Sequence, residues 1–183
     1  LSIDQQTNDV WLGDVGGTVR EEINRVVNGG NYGWPNREGT NGSQPIGGSI
    51  DPTFELLHND GTASESNLVV GGFVYRGTAL PQLTGKYIFA DFGESFTQAT
   101  NVVDLYYGDP NTSNASSRDD MFRFQIDVSG QPLPERIWSI AEDEAGELYL
   151  LGGPDRFNFN GGTDSVILKL VPTAGPPNGI VGD

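Results

Sequence analysis

Residues 21–35, EEINRVVNGGNYGWP, place two adjacent carboxylates, a double glycine and two aromatics around a third glycine within fifteen positions. In an extended strand alternate side chains share a face, so Glu22, Asn24 and Val26 lie on one side and Ile23, Arg25 and Val27 on the other. Asn28, Gly29 and Gly30 then permit a tight reversal through positive φ, which predicts a chain that comes straight back. Gly33 lets the backbone run close to a neighbour, Pro35 stiffens the exit, and Tyr32 and Trp34 supply bulk for packing between sheets. Such a bend would set the Tyr32 carbonyl facing the Glu22 carboxylate, two hard oxygens suited to a divalent cation such as calcium. The plainer alternative is a salt-bridged Glu22 and a Tyr32 that only fills core.

Charge points the same way. Asp and Glu number 25 against 10 Lys and Arg in 183 residues, a net charge of −15. That excess repels phosphate backbones and anionic membrane surfaces, so neither nucleic acid nor membrane is an expected partner. It leaves carboxylates available to a hard cation, or simply keeps an extracellular protein soluble. Cysteine is absent, which removes disulfides, thiolate nucleophiles and soft-metal cages. No run approaches the roughly 20 apolar residues that cross a bilayer as a helix. The chain enters strand-like sequence almost at once, in LSIDQQTNDVWLGDV, and reads as an internal piece of a longer protein.

The elements that must position these groups are strands. Twenty-six glycines and 11 prolines punctuate short apolar segments, and helical spacing rarely persists beyond two turns, which predicts an all-β protein. DVWLGD (9–14), GKYIFADF (85–92) and GELYLLGG (146–153) share one form: a turn residue, an apolar strand, then Asp or Gly. Further strand-like pieces lie between them: EEINRVV, GGFVYRG, MFRFQIDV, RIWSIAED and VILKLVP. A recurring phrase of this kind is the signature of a β-propeller, whose blades are small antiparallel sheets; a sandwich or jelly roll would not repeat it. Residues 1–172 are thus expected to form about three blades, with 107–120 and 152–165 as connecting loops and 173–183 as a linker-like tail.

GDVGGTVREEINRVVNGGNYGWPNREG, followed in order by PTFELLHNDG, GGFVYRGTALPQLTGKYIFADF and EDEAGELYLL, resembles the glucose/sorbosone dehydrogenase family of soluble pyrroloquinoline quinone (PQQ) sugar dehydrogenases. The likeness is strong from about Val10 to Phe92 and weaker from about Arg136 to Pro172. It implies a six-bladed propeller of periplasmic or extracellular type, of which this chain is the C-terminal part, with calcium and the quinone near the central axis and a sugar as substrate. Carried over residue by residue, it implies a structural calcium held by Glu22 and the Tyr32 carbonyl. It also implies a cofactor calcium held by the carbonyls of Gly16 and Gly17, and a cofactor-facing arginine at Arg136.

Three positions depart from the family pattern. Val15 stands where the glucose enzymes have a glutamine, Gly17 where they have a proline, and Trp138 replaces the companion of Arg136, which halves bidentate anion recognition. The family's catalytic histidine belongs to the N-terminal half, so no catalytic residue is assigned here. His58, the sole histidine, is read as structural and without a local acid-base partner. Arg76 either lines the channel or sits in a surface ion pair. Asp109, Asn111, Ser113 and Asp120 have calcium-loop spacing but Asn114 replaces the needed glycine; Ser64 and Ser95 lie in no nucleophile elbow; Asn41, Asn111 and Asn114 begin glycosylation sequons.

The sequence therefore supports three readings: a PQQ-dependent aldose dehydrogenase completed by a missing half, a non-catalytic calcium-stabilised interaction propeller, and a calcium-dependent lactone or ester hydrolase. An open arc of blades would leave apolar faces bare, so a complement is expected, either the N-terminal half or a second copy.

Overall fold

The computed structural model describes residues 1–58, 68–92, 104–111, 121–124, 134, 136–153 and 165–172. The first sheet comprises β1 (Ser2–Ile3), β2 (Val10–Asp14), β3 (Arg20–Val26) and β6 (Phe54–Leu57), in that order. An excursion between β3 and β6 carries a small hairpin of β4 (Arg37–Glu38) and β5 (Asn41–Gly42). The second sheet holds β7 (Val69–Val74), β8 (Tyr87–Asp91), β9 (Leu105–Gly108) and β10 (Met121–Phe124) in sequence order. The third holds β11 (Arg136–Glu142), β12 (Leu148–Gly153) and β13 (Val166–Lys169). All pairings are antiparallel.

The three repeated phrases become β2, β8 and β12, each the second strand of its sheet. The repetition in sequence is therefore a repetition of place. β8 shows why Tyr87 to Ala90 are all apolar, because the middle sheet is covered on both faces. Tyr87 and Phe89 join Trp11, Ile23, Phe54 and Leu56 of the first sheet in one core. Ile88 and Ala90 join Ile137, Ile140, Leu148 and Leu150 of the third in another. Each such Ile, Leu or Phe side chain, removed from water, stabilises the stack by about 1.5–3 kcal/mol. Aromatic rings continue the first core outward: Trp11 lies 4.7 Å from Tyr87, and Phe89 lies 5.8 Å from Phe54 and 5.3 Å from Tyr106.

Polar clasps join the sheets at their ends. Asp4, after β1, accepts from Arg76 Nε and Nη2 at 2.9 and 2.6 Å, so Arg76 serves an inter-sheet ion pair. Glu147, before β12, accepts the N–H of Thr78 and Ala79 at 2.9 and 3.0 Å and the Tyr75 hydroxyl at 2.7 Å.

Three local expectations are corrected. The chain after Gly30 does not return as a strand beside β3; the next neighbour of β3 is β6, reached only at Phe54. Residues 107 and 108 belong to β9, and 152 and 153 to β12, rather than to loops. Trp34 does not pack between sheets and is 72% exposed. Ser64, Ser95, Ser113, Asn114, Asp120 and the tail from Thr173 lie outside the described residues.

Candidate functional site

β2 and β3 are joined by residues 15–19, and their register sets Asp14 opposite Glu22, with Glu55 of β6 opposite Glu22 on the other side. Three carboxylates thus cross one sheet face in a row. Glu55 is occupied by Arg20 at 3.2 Å and by the Thr40 N–H and hydroxyl at 2.8 and 2.7 Å. Glu22 is only 7% exposed and accepts the Gly39 N–H at 2.5 Å and the Asn24 amide at 3.2 Å. Burial raises its carboxyl above the usual range, with the charges of Asp14 and Glu55 adding to the rise and the two hydrogen bonds opposing it. Its environment therefore favours either a proton or a cation.

A cavity of about 340 Å³ opens at this carboxylate. Gly16, Gly17, Glu22 and Tyr32 all line it, so the four residues that sequence reading assigned to cations are brought to one place. Arg136 is not among its lining residues. It starts β11, buried, with its guanidinium 5.6 Å from the centre of the Phe92 ring. Trp138, two residues on, is the extra residue of a β-bulge and is 46% exposed. Val15, also lining the cavity, presents an apolar side chain that is 48% exposed.

The Tyr32 side chain is itself committed to the strand before the turn. Its hydroxyl accepts the Val27 N–H and donates to the Arg25 carbonyl, both at 2.9 Å, and so staples the turn at Gly29, where φ is 73°. Beyond it, Gly33 at φ 104° swings Trp34 outward over the cavity rim. Among the described residues, no hydrogen bond reaches the carbonyl oxygen of Gly16, Gly17 or Tyr32. No group of three His, Cys, Asp or Glu side chains suited to a metal occurs among those residues, so a cation here needs main-chain oxygens. Beside Glu22, the Asn24 Oδ1 is buried without a donor while its amide nitrogen is committed to the carboxylate. Asn24 does not line the cavity, but the buried carboxylate and undonated carbonyls of residues that line it fit a hard cation with oxygen ligands.

Sequence reading missed two partners. Glu38 accepts the N–H groups of Thr18, Val19 and Arg20 at 3.0, 3.0 and 3.1 Å. Burial alone would raise its carboxyl, but these main-chain donors, with that of Gly17, hold it below the usual range. Glu21 is fully buried and receives the N–H of Val69 at 2.9 Å and of Gly16 at 3.4 Å. It is also in short contact with His58 Nδ1, so His58 does have a local acidic partner, contrary to expectation. The only sequence hint was the doubled Glu21–Glu22, whose alternate faces serve the neighbouring sheet and the cavity respectively.

The sequence profile of the family described as Glucose / Sorbosone dehydrogenase matches residues 1–155. The chain belongs to that family. Among curated relatives, it is 34% identical over 90 residues to the HIPL1 protein of Arabidopsis thaliana, covering 43% of this chain and 13% of that protein. It is 32% identical over 102 residues to HIPL2 of the same plant, covering 49% and 15%. Among solved structures, it is similar to the PQQ-bound aldose sugar dehydrogenase of Streptomyces coelicolor, with TM-score 0.56 and 20% identity, over 92% of this chain and 41% of that one. The apo soluble aldose sugar dehydrogenase of Escherichia coli gives 0.54 and 21%, over 92% and 42%. These likenesses show the fold, a β-propeller of which the chain spans about two fifths. In this glucose/sorbosone dehydrogenase family chain the three stacked sheets are blades.

Proposed function

We propose that this chain forms the C-terminal blades of a PQQ-dependent aldose dehydrogenase and supplies its cation sites. The convergence of Gly16, Gly17, Glu22 and Tyr32 on one cavity carries the reading. Glu22 and the Tyr32 carbonyl hold a structural calcium that ties the excursion after β3 to the blade. The Gly16 and Gly17 carbonyls hold the calcium that faces the quinone, with Arg136 as the anion contact from the third blade. When bound, the quinone supplies a hydride acceptor for the carbon of a sugar hydroxyl. The base that removes the hydroxyl proton comes from outside these residues, on an N-terminal half that also covers the bare blade faces. A periplasmic or extracellular setting supplies the calcium. The complete protein, reconstituted with calcium and PQQ, is expected to reduce a dye acceptor with aldoses; no turnover across an aldose panel refutes the proposal.

Val15 and Trp138 favour a second reading, a calcium-stabilised propeller that binds a partner and catalyses nothing. Both place exposed apolar groups where the dehydrogenase reading needs polar contacts to the quinone. Titration with PQQ separates the two: a bound-quinone absorption band selects the dehydrogenase, whereas calcium-dependent melting without that band selects the scaffold.

A further inference from the structure

Glu38 offers three consecutive main-chain N–H groups a single oxygen, Oε1, at 3.0–3.1 Å. A side chain so placed does more than close a loop. In a trans peptide the C=O points opposite to the N–H of the next residue, and the only cis bond among the described residues is Trp34–Pro35. The Thr18 N–H is turned toward Glu38, so the Gly17 C=O is turned away from it. Gly17 itself lies against Glu38, where an added Cβ would be 3.7 Å from Oε2. Further along, the Val19 C=O, opposed to the Arg20 N–H, meets the His58 N–H at 3.0 Å and the Arg20 guanidinium at 3.1 Å. The pattern of N–H inward and C=O outward therefore holds from the Gly17 carbonyl to the Val19 carbonyl. The loop is also too tight for a side chain at position 16, where a Cβ would lie 1.6 Å from the Arg20 carbonyl oxygen and 2.5 Å from Glu38 Oε1.

We propose that Glu38 is a positioning residue: by gathering the Thr18, Val19 and Arg20 N–H groups on one side, it fixes the Gly17 carbonyl oxygen on the other, as a preformed cation ligand beside that of Gly16. Glu38 lines the same cavity, with its Oε1 committed to the three donors. This rests on the reading that these two carbonyls face the cofactor cation. It goes beyond that reading by naming the group that fixes the direction of the Gly17 carbonyl before any cation arrives.

The test compares Glu38→Ala and Glu38→Gln in the complete protein. Amide hydrogen exchange is followed at Thr18, Val19 and Arg20 without cation, and calcium–PQQ affinity is measured by titration. Glu38→Ala is expected to speed exchange at all three amides, and to weaken calcium–PQQ binding, by about tenfold or more, the equivalent of one net hydrogen bond. Glu38→Gln keeps an oxygen acceptor and is expected to recover most of both, a rescue that general loosening of the fold would not give. Unchanged exchange in Glu38→Ala overturns the inference, as does faster exchange with undiminished affinity. If the unsubstituted protein binds no quinone, the dehydrogenase reading fails, and the exchange measurement still decides whether Glu38 orients the loop.

Discussion

Gly13 of β2 and Gly71 of β7 meet backbone to backbone between the first two blades: a Cβ on Gly13 would lie 2.8 Å from the Gly71 nitrogen, and one on Gly71 would lie 2.9 Å from the Gly13 nitrogen. Neither contact is with a flexible side chain that could move aside. The main chains approach closely because both positions lack a side chain, and the Trp11–Tyr87 ring pair closes over the same seam. Replacing either residue by alanine must push the blades apart or bend a strand. Each substitution is expected to cost about 1–3 kcal/mol in chemical denaturation, and an unmoved midpoint for both would show that the seam yields freely.

The Asp4–Arg76 clasp makes acid stability specific to one seam. Burial by itself would raise the Asp4 carboxyl; the Arg76 guanidinium, the Gln6 N–H and the Thr7 hydroxyl outweigh it and bring the group from 3.8 to about 2. A depressed folded value gives stability that is complete above the unfolded value and disappears as pH falls from about 4 through 2. Its size at neutral pH is about 2 kcal/mol. Asp4→Asn should remove about that much at pH 7 and flatten the stability profile across pH 2–4. A variant whose acid profile overlays the original would show that the clasp adds nothing.

Much of this was legible because it depends on period and repetition. The equivalent phrases at β2, β8 and β12 declare a blade without reference to any partner. The alternation in β3 placed Glu22 and Asn24 on one face, and the register agrees. The excursion after Gly30 was not legible, since its course depends on where β6 docks, some twenty residues later. Trp34 was misplaced because an aromatic ring beside glycine and proline signals packing on average, whereas a positive φ at Gly33 directs this one outward. Glu38 and the Glu21–His58 contact are tertiary: their partners lie 18–20 and 37 residues away in sequence, beyond any local pattern.

Glu22 gives the cation reading its sharpest test. In the cation-free protein its carboxyl is raised by burial first and by Asp14 and Glu55 next. A raised folded value means that this group's contribution to stability falls as pH rises above about 4.5. Glu22→Gln removes that charge and keeps an oxygen for the Gly39 donor, and its new amide N–H can serve the unpartnered Asn24 Oδ1 once the Asn24 amide turns over. The variant is expected to melt no lower than the original in chelator at pH 7, and to lose the rise in melting temperature that millimolar calcium gives the original. A calcium-induced rise that survives in Glu22→Gln would place the cation elsewhere.

Glu147 joins the second and third blades with the same device that Glu38 applies within the first. Its two oxygens receive the Thr78 and Ala79 N–H groups and the Tyr75 hydroxyl, and that hydroxyl in turn accepts the Leu80 N–H at 2.9 Å. Burial alone would raise the Glu147 carboxyl, but the Tyr75 hydroxyl and the two main-chain donors outweigh it and leave the group below its ordinary value. Glu147→Ala strands a fully buried phenol and two main-chain donors at once, a loss of about 2–4 kcal/mol. Tyr75→Phe leaves the Leu80 N–H without its acceptor and costs about 1–2 kcal/mol. Because both changes break the same hydroxyl–carboxylate bond, the double variant should lose less than the two single losses added together. Strict additivity in urea denaturation would mean that the two blades are held at this seam by apolar packing alone.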